Sequence, residues 1–194
     1  MKIVKYLLGA MLVIQAFVVA PALAQKMATV NVVQIFGTVD PAKVNDYTEY
    51  MAAVNMYEAL TTLDSSGSIK PLLAESWDVS ADTLTYTFKL KSGATFQDGS
   101  PVEAKDVVYS VNRLLALNEG PSYLFEGVLD ENSVSAVGND KVEFKLKKVY
   151  TPFLTNTPIL FVVNSDVAEA LRPAVILGHR ILLPTTPLER ARSN

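Results

Sequence analysis

Three acids crowd the stretch ATFQDGSPVEAKDVVYSVNRLL, at Asp98, Glu103 and Asp106. Carboxylates this close could ligate a cation or act as an acid–base pair on a bound substrate. A calcium loop needs more acids at alternate positions and a late bidentate glutamate, and that pattern is missing. A glycosidase needs two carboxylates facing one sugar, one of them in an apolar setting that raises its pKa; none of these acids has such neighbours in sequence. The same residues read well as architecture. Gln97-Asp98-Gly99 is a tight turn in which glycine supplies a positive φ. Ser100-Pro101-Val102-Glu103 has capping-box spacing with proline at the first helical position. A slightly later start puts Glu103 and Asp106 in the first turn, where the helix dipole favours negative charge. Val107, Val108, Val111, Leu114 and Leu115 follow at helical spacing and predict a buried stripe.

Other catalytic signatures are missing. The one histidine is His179, and there is no cysteine. Thiolate zinc sites, cysteine nucleophiles and iron–sulfur clusters are thereby excluded. No His-Glu-x-x-His, Gly-x-Ser-x-Gly or phosphate-cradling glycine loop occurs. No metal and no cofactor is expected. A formal net charge of −3 over 194 residues argues against a nucleic-acid surface.

The chain begins with Lys2 and Lys5, an apolar run from Tyr6 to Ala20, and Ala22-Leu23-Ala24. That order predicts a signal peptide over residues 1–24, cleaved after Ala24. The run is shorter than the ~20 apolar residues that span a bilayer. Export without a lipid-accepting cysteine suits the periplasm.

Ala28 to Phe36 reads as a β-branched apolar strand, and Gly37 and Asp40-Pro41 then break regular structure. Met51, Val54 and the pair Tyr57/Leu60 predict one face of a helix over Glu49 to Leu60. The clearest strand is TLTYTFKLK, in which Leu84, Tyr86, Phe88 and Leu90 share one face. It forms an antiparallel hairpin with ESWDV, with Trp77 as a core residue. A second hairpin alternates Val142, Phe144 and Leu146 with Glu143, Lys145 and Lys147 after a Gly138-Asn139-Asp140 turn. The lysines are then the solvated face of a strand. Leu160 to Val163 reads as one more apolar strand.

The order of these pieces resembles the extracytoplasmic solute-binding proteins of family 5, the dipeptide and oligopeptide receptors of ABC importers. The block from Leu72 to Leu115 carries the resemblance most specifically, with Asp40 to Asp64 as its second part. The match runs over roughly Thr29 to Asp166.

The resemblance implies an α/β fold like that of the type II periplasmic-binding proteins, present here as one lobe only, with antiparallel hairpins packed on helices. Residues 25–170 would form this N-terminal lobe. The resemblance implies ligand contacts from the loop after the Asp-Pro pair, at Asn45, Asp46 and Tyr47, whose backbone would pair with an extended peptide. It implies a monomer that takes a peptide or other small solute and docks on a membrane permease, with no bond made or broken. Family members are more than twice this length, and the opposing lobe is not expected in this chain. One wall of a cleft buries less of a ligand than the usual ~70–90%, so weak binding or none is expected. Beyond Val167 the composition changes, with Arg172, Arg180, Arg190 and Arg192 and no lysine. Residues 171–194 read as an aberrant tail, frameshifted or otherwise foreign. Two rival readings are a secreted carboxylate-dependent hydrolase using Asp98 or Glu103, and a small subunit that completes its cleft with a partner chain.

Overall fold

The computed structural model describes residues 37–171 and two short strands, Val175–Leu177 and Arg180–Leu182. The predicted signal peptide (1–24), the predicted strand Ala28 to Phe36 and His179 lie outside the described residues, as does most of the predicted tail 171–194.

Strict period-two patterning makes the central sheet. β3 (Ala74–Val79), β4 (Thr85–Leu90), β5 (Val134–Val137) and β6 (Lys141–Lys145) form a four-stranded antiparallel sheet in the order β3-β4-β6-β5. In register, Trp77 faces Phe88 and Tyr86 faces Phe144. Both predicted hairpins form. Tyr86, Phe88 and Leu90 of β4 and Val142, Phe144 and Leu146 of the second hairpin are buried, while Lys141, Lys145 and Lys147 are exposed. Trp77 is partly buried against this core, its ring 6.2 Å from that of Phe88.

Aromatic rings fill the interior. Phe144 meets Phe88 edge-on at 5.5 Å, and Phe153 lies 5.4 Å from Phe144 and 4.6 Å from Tyr86. Each such side chain stabilises the fold by about 1.5–3 kcal/mol through burial. Phe153 comes from the short helix α3 (Phe153–Asn156). The long helix α2 (Ala104–Leu117) closes the core by burying Val107, Val111 and Leu114, with Val108 and Leu115 partly buried beside them. The predicted stripe is the one observed. A smaller two-stranded sheet pairs β1 (Thr61–Leu63) with β2 (Ile69–Pro71). The short helix α4 (Ser165–Ala170) follows, and β7 (Val175–Leu177) pairs with β8 (Arg180–Leu182).

Three expectations need correction. The first helix, α1, runs from Tyr47 to Met56, earlier than predicted. Tyr57 is already extended, at φ −128° and ψ 154°, so Leu60 reaches the core from outside the helix. Met51 and Val54 are 41% and 39% exposed; α1 buries Glu49 and Ala53 instead. Leu160 to Val163 is apolar and largely buried but makes only an isolated bridge, Phe161 to Ala59. Its amides turn elsewhere: Phe161 N–H donates to Ile159 O, and Val163 N–H donates to the Ser110 hydroxyl. Ser100 does not cap α2. Glu103 is the N-cap residue, and its N–H donates to Asp106 Oδ2 at 2.9 Å.

Candidate functional site

Asp106 explains the crowded acids. It is 1% exposed, and besides Glu103 N–H it accepts Ser165 N–H (3.0 Å) and the Ser165 hydroxyl (2.6 Å) at Oδ1. One carboxylate thus ties the first turn of α2 to the first turn of α4. Asp98 accepts the Ser100 N–H at 2.9 Å, the Ser100 hydroxyl at 2.6 Å and an Asn164 amide N–H at 3.1 Å. These bonds, from Ser100 first, lower its pKa below the usual carboxylate range. A general acid needs the opposite shift. Glu103 accepts from the Asn139 side chain at 3.0 Å. All three acids are engaged in local structure. Among the described residues no group of three or more His, Asp or Glu could hold a metal ion.

The loop before α1 is organised by charged groups from two helices. Thr38 Oγ1 accepts the Asp40 N–H (3.0 Å), and Asp40 Oδ1 accepts the Ala42 N–H (3.1 Å). This is the self-bonding by which Asp and Thr build turns. Arg113 of α2 donates two parallel hydrogen bonds to the Asp40 carboxylate, at 2.7 and 2.5 Å. The guanidinium holds the Asp40 carboxyl below its ordinary pKa, and Arg113 is itself raised. Behind the loop, Gly120 sits at φ +49°; a β-carbon there would lie 2.8 Å from the carbonyl carbon of Lys43.

Glu49 holds the two ends of the loop. It is 6% exposed. Its Oε1 accepts Gly37 N–H (3.1 Å) and Thr38 N–H (3.2 Å), and its Oε2 accepts Asn45 N–H (2.7 Å). Asp46 is the N-cap of α1, accepting the Glu49 N–H at 2.9 Å. The Asp46-x-x-Glu49 pair is a capping box whose glutamate reaches one residue further back than usual. That spacing was present in the sequence as a signal for Glu49. Arg113 carried a weaker one, as the only arginine before Arg172.

The predicted ligand residues sit together at the outer end of this loop. Asn45, Asp46 and Tyr47 are all exposed, Tyr47 at 77%. Their backbone is only partly free: Glu49 takes the Asn45 N–H, and Asp46 O accepts the Tyr50 N–H at 3.0 Å. A concavity of about 1300 Å³ is lined by the start of this loop at Thr38 to Pro41 together with α1, α2, α4 and the Asp98 turn. The Asp40–Arg113 pair and Tyr57 lie in its mixed polar and apolar wall, which Asp98 and Glu58 also line, whereas Asn45, Asp46 and Tyr47 do not. Burial, and next the nearby Asp40 charge, raise the Tyr57 pKa.

Residues 68–174 match the family model of bacterial extracellular solute-binding proteins, family 5 middle. The chain is 32% identical over 147 residues to the probable D,D-dipeptide-binding periplasmic protein DdpA of Escherichia coli K12, covering 73% of this chain and 27% of that protein. It is 41% identical over 93 residues to the glutathione-binding protein GsiB of Salmonella paratyphi A, covering 48% and 18%. Haemophilus influenzae OppA, solved in complex with RPPGFSPFR, superimposes with a TM-score of 0.64 at 26% identity over 71% of this chain and 30% of that one. The fold is the mixed α/β fold of type II periplasmic-binding proteins, present in part. The chain spans about a quarter of the length of DdpA. The match over residues 68–174 covers more than half of the chain, which therefore belongs to the bacterial extracellular solute-binding proteins of family 5.

Proposed function

We propose that this chain contributes one wall of the solute site of a periplasmic binding component of an ABC importer, and that its solute is a peptide. The family match over residues 68–174 is the observation that carries this reading. Three matched relatives are named with peptide-like solutes, a D,D-dipeptide, glutathione and the nonapeptide RPPGFSPFR, while two other solved relatives are named with mannopinic acid and Ni(L-His).

Asn45, Asp46 and Tyr47 form the peptide edge in this reading. What supports the assignment is their joint exposure at the tip of a loop held from both ends. Asn45 N–H is already bonded, so the pairing groups are the free backbone groups around Asp46 and Tyr47, and the Tyr47 ring lies along the ligand. A signal peptide over residues 1–24 exports the chain to the periplasm, and a membrane permease is the partner to which captured solute passes. The protein binds and releases without catalysis; the engaged states of Asp98, Glu103 and Asp106 favour this over a hydrolase.

The test is a titration of the full chain with tri-alanine, followed by amide chemical shifts. Shifts centred on Asn45, Asp46 and Tyr47, saturating only at high concentration, are the expected result. Shifts confined to the concavity walls, around Tyr57 and Val163, would overturn the assignment of the edge.

A further inference from the structure

Glu49 lies outside the candidate edge, yet its buried carboxylate accepts three backbone amides of the loop that carries it. We propose that Glu49 is the positioning residue of this edge: its two oxygens, by holding Gly37, Thr38 and Asn45 together, set the path on which Asp46 and Tyr47 meet solute. The proposal rests on the reading that Asn45, Asp46 and Tyr47 form the ligand edge.

Three amides from two segments converge on one buried side chain, with two at Oε1 and one at Oε2. A buried carboxylate left without donors is costly, so these three part-buried amides fix Glu49 as it fixes them. The bond to Asn45 has a second consequence. It withdraws the first amide of the edge from solute, so pairing with an extended peptide begins one residue later, after Asn45. Asp46 is fixed from the other direction, because its own carboxylate accepts the Glu49 N–H. The chain therefore enters α1 with both neighbours of the solute-facing groups committed. An edge fixed before solute arrives loses less conformational freedom on binding.

Chemistry distinguishes this role from bulk packing. Glutamine has nearly the same shape as glutamate but offers one acceptor oxygen and one N–H₂ donor. In Glu49→Gln the amide nitrogen must face either Asn45 N–H or the Gly37 and Thr38 pair, donor against donor. One end of the loop is released while the volume is kept.

The experiment compares wild type and Glu49→Gln as full chains, by amide hydrogen exchange and by the tri-alanine titration. In the variant, exchange at Asn45, or at Gly37 and Thr38, should accelerate about tenfold more than at Phe88 and Val142 in the central sheet, and the response at Asp46 and Tyr47 should fall at least about threefold. Unchanged exchange at all three amides overturns the proposal, as does a released loop with an unchanged peptide response. A wild type that shows no response at Asn45, Asp46 or Tyr47 removes the ligand reading, and the positioning role with it. Gly37→Ala is the second variant should Glu49→Gln fail to fold. Its added β-carbon would lie 3.2 Å from Oε1, crowding the carboxylate without deleting it. It should weaken the peptide response in the same direction, and an unaltered response would again overturn the proposal.

Discussion

Arg113 and Asp40 are 73 residues apart in sequence, yet the guanidinium of one grips the carboxylate of the other through two parallel hydrogen bonds. Both side chains are more than two-thirds withdrawn from solvent. This clamp joins the loop that carries the candidate edge to the helix that closes the core.

The clamp predicts a specific acid sensitivity. The Asp40 pKa is lower folded than unfolded, so its contribution is present above the unfolded value of about 3.9 and is lost as pH falls through the folded value. Near pH 7, Asp40→Asn should lower stability by about 1–2 kcal/mol, discounted for partial exposure. The gap between variant and wild type should narrow below about pH 4 as Asp40 protonates. Urea denaturation from neutral to acid pH measures both. A gap that stays constant would mean that Asp40 stabilises the loop by some means other than its charge.

Gly120 should resist any side chain. Its φ of +49° disfavours L-residues, and a β-carbon would press on the Lys43 carbonyl carbon at 2.8 Å and the Ala42 and Val44 oxygens at 2.9 Å. Gly120→Ala is expected to cost about 2–4 kcal/mol, combining overpacking with backbone strain. Thermal melting, with shifts at residues 42–44 as a local readout, checks this. Gly99→Ala provides the contrast: its φ is +85° but nothing lies within 4 Å of the added carbon, so only the strain is felt.

Asp106 and Asp98 should part company under substitution. Asp106→Ala removes an acceptor of three hydrogen bonds from a site 1% exposed and should cost about 3 kcal/mol or more. Asp98→Ala, at an exposed turn, should cost less than about 1 kcal/mol. Chemical denaturation of both variants measures the difference. Equal losses would contradict the staple between α2 and α4.

Met51 tests the corrected helix face. As the residue stands 41% exposed, Met51→Ala should change stability by no more than about 0.5 kcal/mol. Phe153→Ala, at full burial among Phe144, Tyr86 and Phe125, should cost about 3–5 kcal/mol. A large loss at Met51 would mean that α1 packs through that face after all.

Local patterning was enough for the sheet and for α2. Alternation in TLTYTFKLK and KVEFKLK dictates which face is buried, because a strand has period two whatever it packs against. The valine and leucine spacing of α2 dictates its buried stripe for the same kind of reason. Where a pattern was weak, tertiary structure decided. Met51 and Val54 looked like a core face, but α1 buries Ala53 and the polar Glu49, whose carboxylate accepts the backbone N–H groups of Gly37, Thr38 and Asn45. Leu160 to Val163 had strand composition, yet the Ser110 hydroxyl and the preceding turn took amides that a ladder requires. Residue types and order, then, were enough for the family resemblance and the two hairpins. The pairing of Asp40 with Arg113, and of Glu49 with the amides of Gly37 and Thr38, was decided only in three dimensions. Periodicity reports what one element does along its own axis, while a hydrogen bond across the fold depends on where two elements meet.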